Sequence, residues 1–185
     1  MHTPPLQTEA TGTDATKLTR RSAALGLGAA CLGLQLAGCA APTVARGDLL
    51  QQMDLVLRQA QASNGFGLAV VPDQVTIGQR VALQVRAPVG GYLYVIQLAT
   101  DGQSLSLVFP NSQDGRNRIA AGETLLPREG WRFSARGPAG VGYVLAIVAH
   151  DMQDLTALQN ELSMGRIRMR GAYQAAMAPM TERAA

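Results

Sequence analysis

Apolar and polar positions alternate through the middle of the chain and change to helical spacing on either side. The pattern is organised around residues 91–111, GYLYVIQLATDGQSLSLVFPN. From Tyr92 to Leu98 both faces are apolar, with Tyr92, Tyr94, Ile96 and Leu98 on one and Leu93 and Val95 on the other. A strand apolar on both faces needs cover on both, which predicts a central position in a sheet. Leu105, Leu107 and Phe109 then alternate with Ser104 and Ser106, the half-buried pattern of a second arm. Asp101-Gly102 lies between the arms, where a tight turn needs a residue that tolerates positive φ. Pro110 has no backbone donor and ends the second arm. The stretch therefore predicts a β-hairpin.

Strands are expected on both sides of it. Phe66 to Val71 reads as a strand closed by Pro72, and Val75 to Ile77 as a short extended piece. From Gln79 to Arg86, Val81, Leu83 and Val85 alternate inward, while Arg80, Gln84 and Arg86 face out. Beyond the hairpin come a short strand at Glu123 to Leu126, stopped by Pro127, and the alternation of Trp131, Phe133 and Ala135 with Arg132, Ser134 and Arg136. Val141 to Ala149 is a second strand apolar on both faces, hence central. Helical spacing places Leu49, Leu50, Met53, Val56, Leu57 and Ala60 on one face of a helix over 48–62, with Asp48 as N-cap. That face either packs on its own domain or meets a partner beside a membrane. A second helix over Asp151 to Leu162 would take Asp151 as N-cap and set Leu155, Leu158 and Leu162 on one face. Residues 163–185 read as a basic tail or an edge strand: Arg166, Arg168 and Arg170 alternate with Ile167 and Met169, and Tyr173 to Met180 suits an edge. The fold class expected is mainly β: a β-sandwich, immunoglobulin/transthyretin-like, over 66–162, with one N-terminal and one C-terminal helix.

Composition narrows the function. Aromatic residues are 4% and charged residues 16%, so the core must be built mainly from Val, Leu, Ile and Ala. A chain of 185 residues suits one domain with appendages. The net charge is +3, and the only lysine, Lys17, lies near the start with Arg20 and Arg21. From Cys39 onward thirteen arginines face eleven carboxylates, which argues against a nucleic-acid partner. The two cysteines are Cys31 and Cys39, and neither is expected to form a disulfide.

Residues 1–38 read as an export signal peptide. Arg20-Arg21 supplies its positive end, Ser22 to Leu36 is an apolar run rich in Ala, Gly and Leu, and Leu36-Ala37-Gly38-Cys39 follows. That last motif resembles the lipobox of bacterial lipoproteins. The resemblance implies cleavage before Cys39, a diacylglycerol on its thiol, usually a further acyl chain such as palmitate on the new amino terminus, and a lipidated tether over 39–47. Several acyl chains, at about 0.8 kcal/mol per buried CH₂, would anchor the protein in a membrane. The competing reading is a transmembrane helix, but the run is short and dense in glycine where a span needs about 20 apolar residues. Ala40, rather than Asp, after the cysteine favours the outer membrane by likeness to enterobacterial lipoproteins. Thr19 to Leu25 also resembles a twin-arginine signal, with Ala23 where that signal usually has Phe; an ordinary secretory leader stands beside it as an equal alternative.

The segment from about Val75 to Ala149 resembles a bacterial family known as domain of unknown function 4384. The residues that carry the likeness are Gly91-Tyr92-Leu93-Tyr94, Asp101-Gly102, Leu107-Val108-Phe109-Pro110-Asn111, Asn117-Arg118, Ala121-Gly122-Glu123, Pro127 and Gly137-Pro138-Ala139-Gly140. It implies a β-rich module outside the cytoplasm, often a lipoprotein, with no established activity. Where the family often has Asp or Asn in the first central arm, this chain has Gln97.

Candidate chemistry is sparse. His150 is the only histidine after the leader, with Asp151 next in sequence but expected on a different side of the chain. No metal set, acid–base carboxylate pair or phosphate loop follows from the spacing, so neither an enzyme nor a cofactor is expected. The polar loop with Asn111, Asp114, Arg116, Asn117 and Arg118 follows a rigid strand and is the candidate binding loop. Its alternative is structural, with Asn111 and Asn117 tying down backbone groups. These readings converge on a lipid-anchored, non-catalytic module facing the periplasm that binds an envelope or secretion-system protein. Small anchored sandwiches of type VI secretion are an architectural parallel. A module for cell-wall glycan or a small ligand is the alternative, and a hydrolase is a third. Replacing Cys39 by Ala should abolish metabolic acyl labelling of the full chain; unchanged labelling would end the lipoprotein reading.

Overall fold

The computed structural model describes residues 46–185; the export motif, the lipobox and the tether up to residue 45 lie outside them. In chain order the elements are α1 (Arg46–Gln59), β1 (Gly67–Val71), β2 (Gln74–Thr76), β3 (Ala82–Ala87), β4 (Gly91–Leu98) and β5 (Leu105–Phe109). Then follow β6 (Arg118–Ile119), β7 (Gly122–Leu126), β8 (Gly140–Ala149), α2 (Leu155–Ser163) and β9 (Tyr173–Arg183). One sheet has the order β1-β3-β7; the other runs β2-β9-β8-β4-β5, with β6 also on β4. The domain is mainly β, with two sheets and two helices.

The two strands apolar on both faces are interior, as their pattern demands. On one face, Leu93 and Val95 of β4 and Val144, Ala146 and Val148 of β8 join Val81, Leu83, Val85, Leu126 and Phe133 in a core shared with the smaller sheet. On the other, Tyr94, Ile96 and Leu98 of β4 and Leu145, Ile147 and Ala149 of β8 meet Leu49, Met53 and Val56 of α1 and Leu158 and Leu162 of α2. The helices thus form a third layer over the larger sheet. The apolar face of α1 is spent on its own domain.

Close backbone approach constrains the start of β4. Any Cβ at Gly91 would lie 2.5 Å from the Ala149 carbonyl oxygen, so only glycine fits there. The hairpin turns as expected at Asp101-Gly102. Gly102 has φ of 70°, and the Asp101 carboxylate accepts from the Gln103 N–H at 2.9 Å.

Several expectations need correction. Phe109 does not share a face with Leu105 and Leu107. The register shifts between Val95 and Ile96, where Val95 faces Phe109 and Ile96 faces Leu107. This bulge inserts Val108 and turns Phe109 into the inter-sheet core, where it stacks on Trp131 with ring centroids 6.2 Å apart. Residues 131–136 bury alternate side chains as read but form only a single bridge, Arg80 to Ser134. Asp48 is not an N-cap, because α1 already begins at Arg46 and Asp48 falls in its first turn. The cap of α2 is Asp154, which accepts from the Ala157 N–H at 3.0 Å, and not Asp151; Leu155 is exposed rather than on the buried face.

Of the two readings of residues 163–185, the edge strand holds for Tyr173 to Met180, which pair with β8 alone. β9 pairs along its length with β8, and its last three residues pair in parallel with β2. The sheet therefore needs residues beyond 162. Pro179 is tolerated because β2 flanks β9 only from Thr181 onward, leaving a neighbour on one side at the proline.

A buried amide explains why α2 starts late. The Gln153 N–H donates to the Tyr94 hydroxyl at 2.8 Å. The Gln153 side chain donates to the carbonyls of Asp151 and Arg170 at 2.9 and 3.0 Å and accepts from the Arg170 N–H at 2.8 Å. These bonds hold 151–153 extended and join the two ends of the connection around α2. The Tyr173 hydroxyl donates to the Val56 carbonyl at 3.2 Å, and burial pushes it up from its ordinary pKa. Tyr94→Phe should leave the Gln153 N–H buried and unpaired, at a cost of about 1–3 kcal/mol. Urea unfolding checks this: the midpoint should fall at an unchanged slope.

Candidate functional site

The polar loop is built inward. The Asn111 side-chain oxygen accepts from the Gln113 and Asp114 N–H groups at 2.9 Å each, and its amide nitrogen donates to the Val108 carbonyl at 3.0 Å. Asp114 is buried, and its carboxylate takes a forked pair of bonds from Arg128, 2.6 Å from Nε and 2.8 Å from the guanidinium end. The same guanidinium bonds the Arg116 carbonyl and lies 5.0 Å from the centre of the Phe109 ring. The Asn117 carbonyl accepts from the Leu93 N–H at 2.7 Å and docks the loop on β4. Asn111 and Asp114 therefore act as struts through their side chains, whereas Asn117 is held through its backbone.

The two arginines of the loop point elsewhere. Arg118 lies over the Tyr92 ring at 5.9 Å, beside Gly91 and His150 in a shallow groove of about 580 Å³. Arg116 is exposed. Sequence alone did not single out Arg128, which holds the loop from fourteen residues beyond Asp114.

The Arg128 hydrogen bonds hold the Asp114 carboxyl below its usual pKa against the opposing effect of burial. The Arg128 charge and the Arg116 N–H lower it further. The Trp131 indole N–H is buried and makes no hydrogen bond. A hydrogen bond also holds Glu161 below the usual range, from Arg166, with the charges of Arg166 and Arg168 adding to it against desolvation.

His150 and Asp151 are not on different sides of the chain: Nδ1 lies 3.0 Å from the carboxylate. The pair is well exposed, and among the described residues no hydroxyl or thiol bonds the other ring nitrogen. No group of three or more His, Cys, Asp or Glu there could hold a metal ion, and no helix there is long and apolar enough to cross a membrane. Arg20, Arg21, Leu36, Ala37, Gly38 and Cys39 lie outside the described residues.

Two further grooves are open. One, of about 650 Å³, lies between α1, α2 and residues 166–170; within it Glu161 pairs with Arg166 at 2.8 Å and with Arg168 at 3.5 Å. The other, of about 320 Å³, lies between β5 and the extended segment 131–136. Gln97, Ser106, Leu107, Asn111, Arg132 and Arg136 are among its walls, and no carboxylate is. β5 is the last strand of its sheet. The Ala99 N–H donates to the Ser104 carbonyl, so by antiparallel alternation Ser106 bonds Gln97, and Leu105 and Leu107 direct their backbone groups outward.

Residues 74–151 match the family described as Domain of unknown function (DUF4384). No curated protein and no solved structure matches the chain. The matched span runs from β2 to just past β8, whereas the two sheets also need β1 before it and β9 after it.

Asp114 has a lower pKa folded than unfolded. It therefore contributes stability above the unfolded carboxylate value, about 3.9, and loses it as the pH falls through the folded value. Arg128→Met should lower stability at pH 7 by about 1.5–3 kcal/mol, the range for hydrogen bonds to a charged group. It should also remove that acid-side dependence. Chemical denaturation at pH 7 and at pH 3 measures both.

Proposed function

We propose that this protein is a lipid-anchored envelope lipoprotein whose β-rich domain binds another protein and catalyses no reaction. The anchor rests on the lipobox-like Leu36 to Cys39. Seven peptide steps from Cys39 to α1 would span at most about 25 Å, so an acylated Cys39 would keep the domain close to a bilayer.

The observation that carries the binding role is the edge of β5. Its outward N–H and C=O groups have no backbone partner among the described residues. Such an edge is a template on which an extended segment of another chain can add a strand. An envelope or secretion-system component is the partner class that an anchored domain would meet. Glycan binding would instead call for a concave face lined with several exposed aromatic rings; the groove beside Arg118 offers Tyr92, and that beside β5 offers Trp131 and Phe133, both buried in the core.

Crosslinking the full lipidated chain in intact cells, with purification and identification of what is attached, tests this reading. One recurrent envelope protein is expected from the wild type and should be lost or reduced with Cys39→Ala. Glycan alone, or nothing above background, would overturn it.

A further inference from the structure

The groove between β5 and residues 131–136 has two features that together define an occupant. Its first wall is the open edge of β5. Its second wall is also an extended backbone with one side engaged. Phe133 accepts from the Val81 N–H at 2.9 Å, Ala135 accepts from the Gly78 N–H at 2.9 Å, and the Ala135 N–H donates to Gln79 at 3.0 Å. By the same alternation, Arg132, Ser134 and Arg136 turn their backbone groups away from that pairing, and no backbone bond is made there among the described residues.

The side chains add a charge. Burial along 131–136 alternates, with Trp131, Phe133 and Ala135 in the core and Arg132 and Arg136 exposed at the groove. Neither arginine makes an ion pair or a side-chain hydrogen bond among the described residues. Arg128 and Arg166, by contrast, are both neutralised by carboxylates. A groove with two unpaired guanidinium groups and no carboxylate in its walls favours a negative occupant.

We propose that this groove takes an extended, acidic segment of a partner protein, which pairs with the outward backbone of β5 and places carboxylates against Arg132 and Arg136. The proposal rests on the protein-binding reading above and gives that reading a site and a partner chemistry. Leu107 and Val108 offer the small apolar surface on which alternate side chains of such a segment would rest. The interaction is charge-dependent and exposed, so its affinity falls as salt rises.

The test uses the full lipidated protein in detergent and a fluorescent ten-residue peptide of alternating glutamate and valine. Three comparisons accompany it: a lysine–valine peptide, the same glutamate–valine peptide with alternate backbone nitrogens methylated, and the R132E/R136E variant. Both arginines are exposed, so the variant should keep the wild-type melting temperature. The glutamate–valine peptide should bind saturably, at least tenfold more weakly to the variant, and the methylated peptide should lose binding because it lacks backbone donors. Equal binding by the lysine–valine peptide, by the methylated peptide or by the variant would overturn the proposal. If the in-cell partner still crosslinks to R132E/R136E as strongly as to the wild type, the groove is rejected while the protein-binding role stands. If the wild type captures no partner, the broader reading falls too.

Discussion

Everything in the domain hangs on β8 being covered on both faces and paired on both edges. β4 takes one edge in seven register pairs and β9 takes the other in ten. Val144, Ala146 and Val148 look toward the smaller sheet, and Leu145, Ile147 and Ala149 look toward the helices. Fully burying a side chain of the Val or Leu class contributes about 1.5–3 kcal/mol. A strand that buries such residues on both faces therefore cannot be left at an edge or in water. The rest of the architecture follows from meeting that demand: one layer of strands on one side, one layer of helices on the other, and β9 to close the edge away from β4.

The same demand shapes the irregular parts. The bulge at Val108 moves Phe109 to the inter-sheet side, where the Trp131 ring and the Arg128 guanidinium cover it. Arg128 in turn reaches Asp114 and fastens the polar loop to the same corner. Gln153 does for the helical layer what Arg128 does for the loop. Its side-chain amide substitutes for a strand partner at Arg170 and brings the chain back into register for β9. Both fastenings are polar groups that cannot be buried unless bonded, so their partners are obligatory.

Period and burial make most of this legible in the sequence. The two-faced patterns of Tyr92 to Leu98 and Val141 to Ala149 mark the central strands, and Pro72, Pro110 and Pro127 mark where β1, β5 and β7 stop. The bulge is not legible, because an unbroken alternation through Leu105, Leu107 and Phe109 carries no sign of an inserted residue. β9 is legible only as an edge strand set beside a basic tail, because its run of Ala175, Ala176, Met177, Ala178 and Pro179 has none of the β-branched residues that advertise a strand. Asp151 and Asp154 are both plausible caps three residues apart, and only the long-range bonds of Gln153 choose between them. The candidate loop stands out as a dense polar cluster, but its inward bonds depend on Arg128. The arginines of the β5 groove are visible as the outward half of an alternation; that they face an open strand edge depends on tertiary contact.

A domain whose matched family span ends at Asp151 but whose sheet is completed by β9 makes a direct physical claim about the last residues of the chain. Hydrogen exchange of the intact protein, read by mass spectrometry over peptides spanning 173–183 and 140–149, tests it. If β9 is an integral neighbour of β8, its paired amides should exchange on the slow timescale of β8. Complete exchange of 173–183 within seconds, while 140–149 stays protected, would contradict the account.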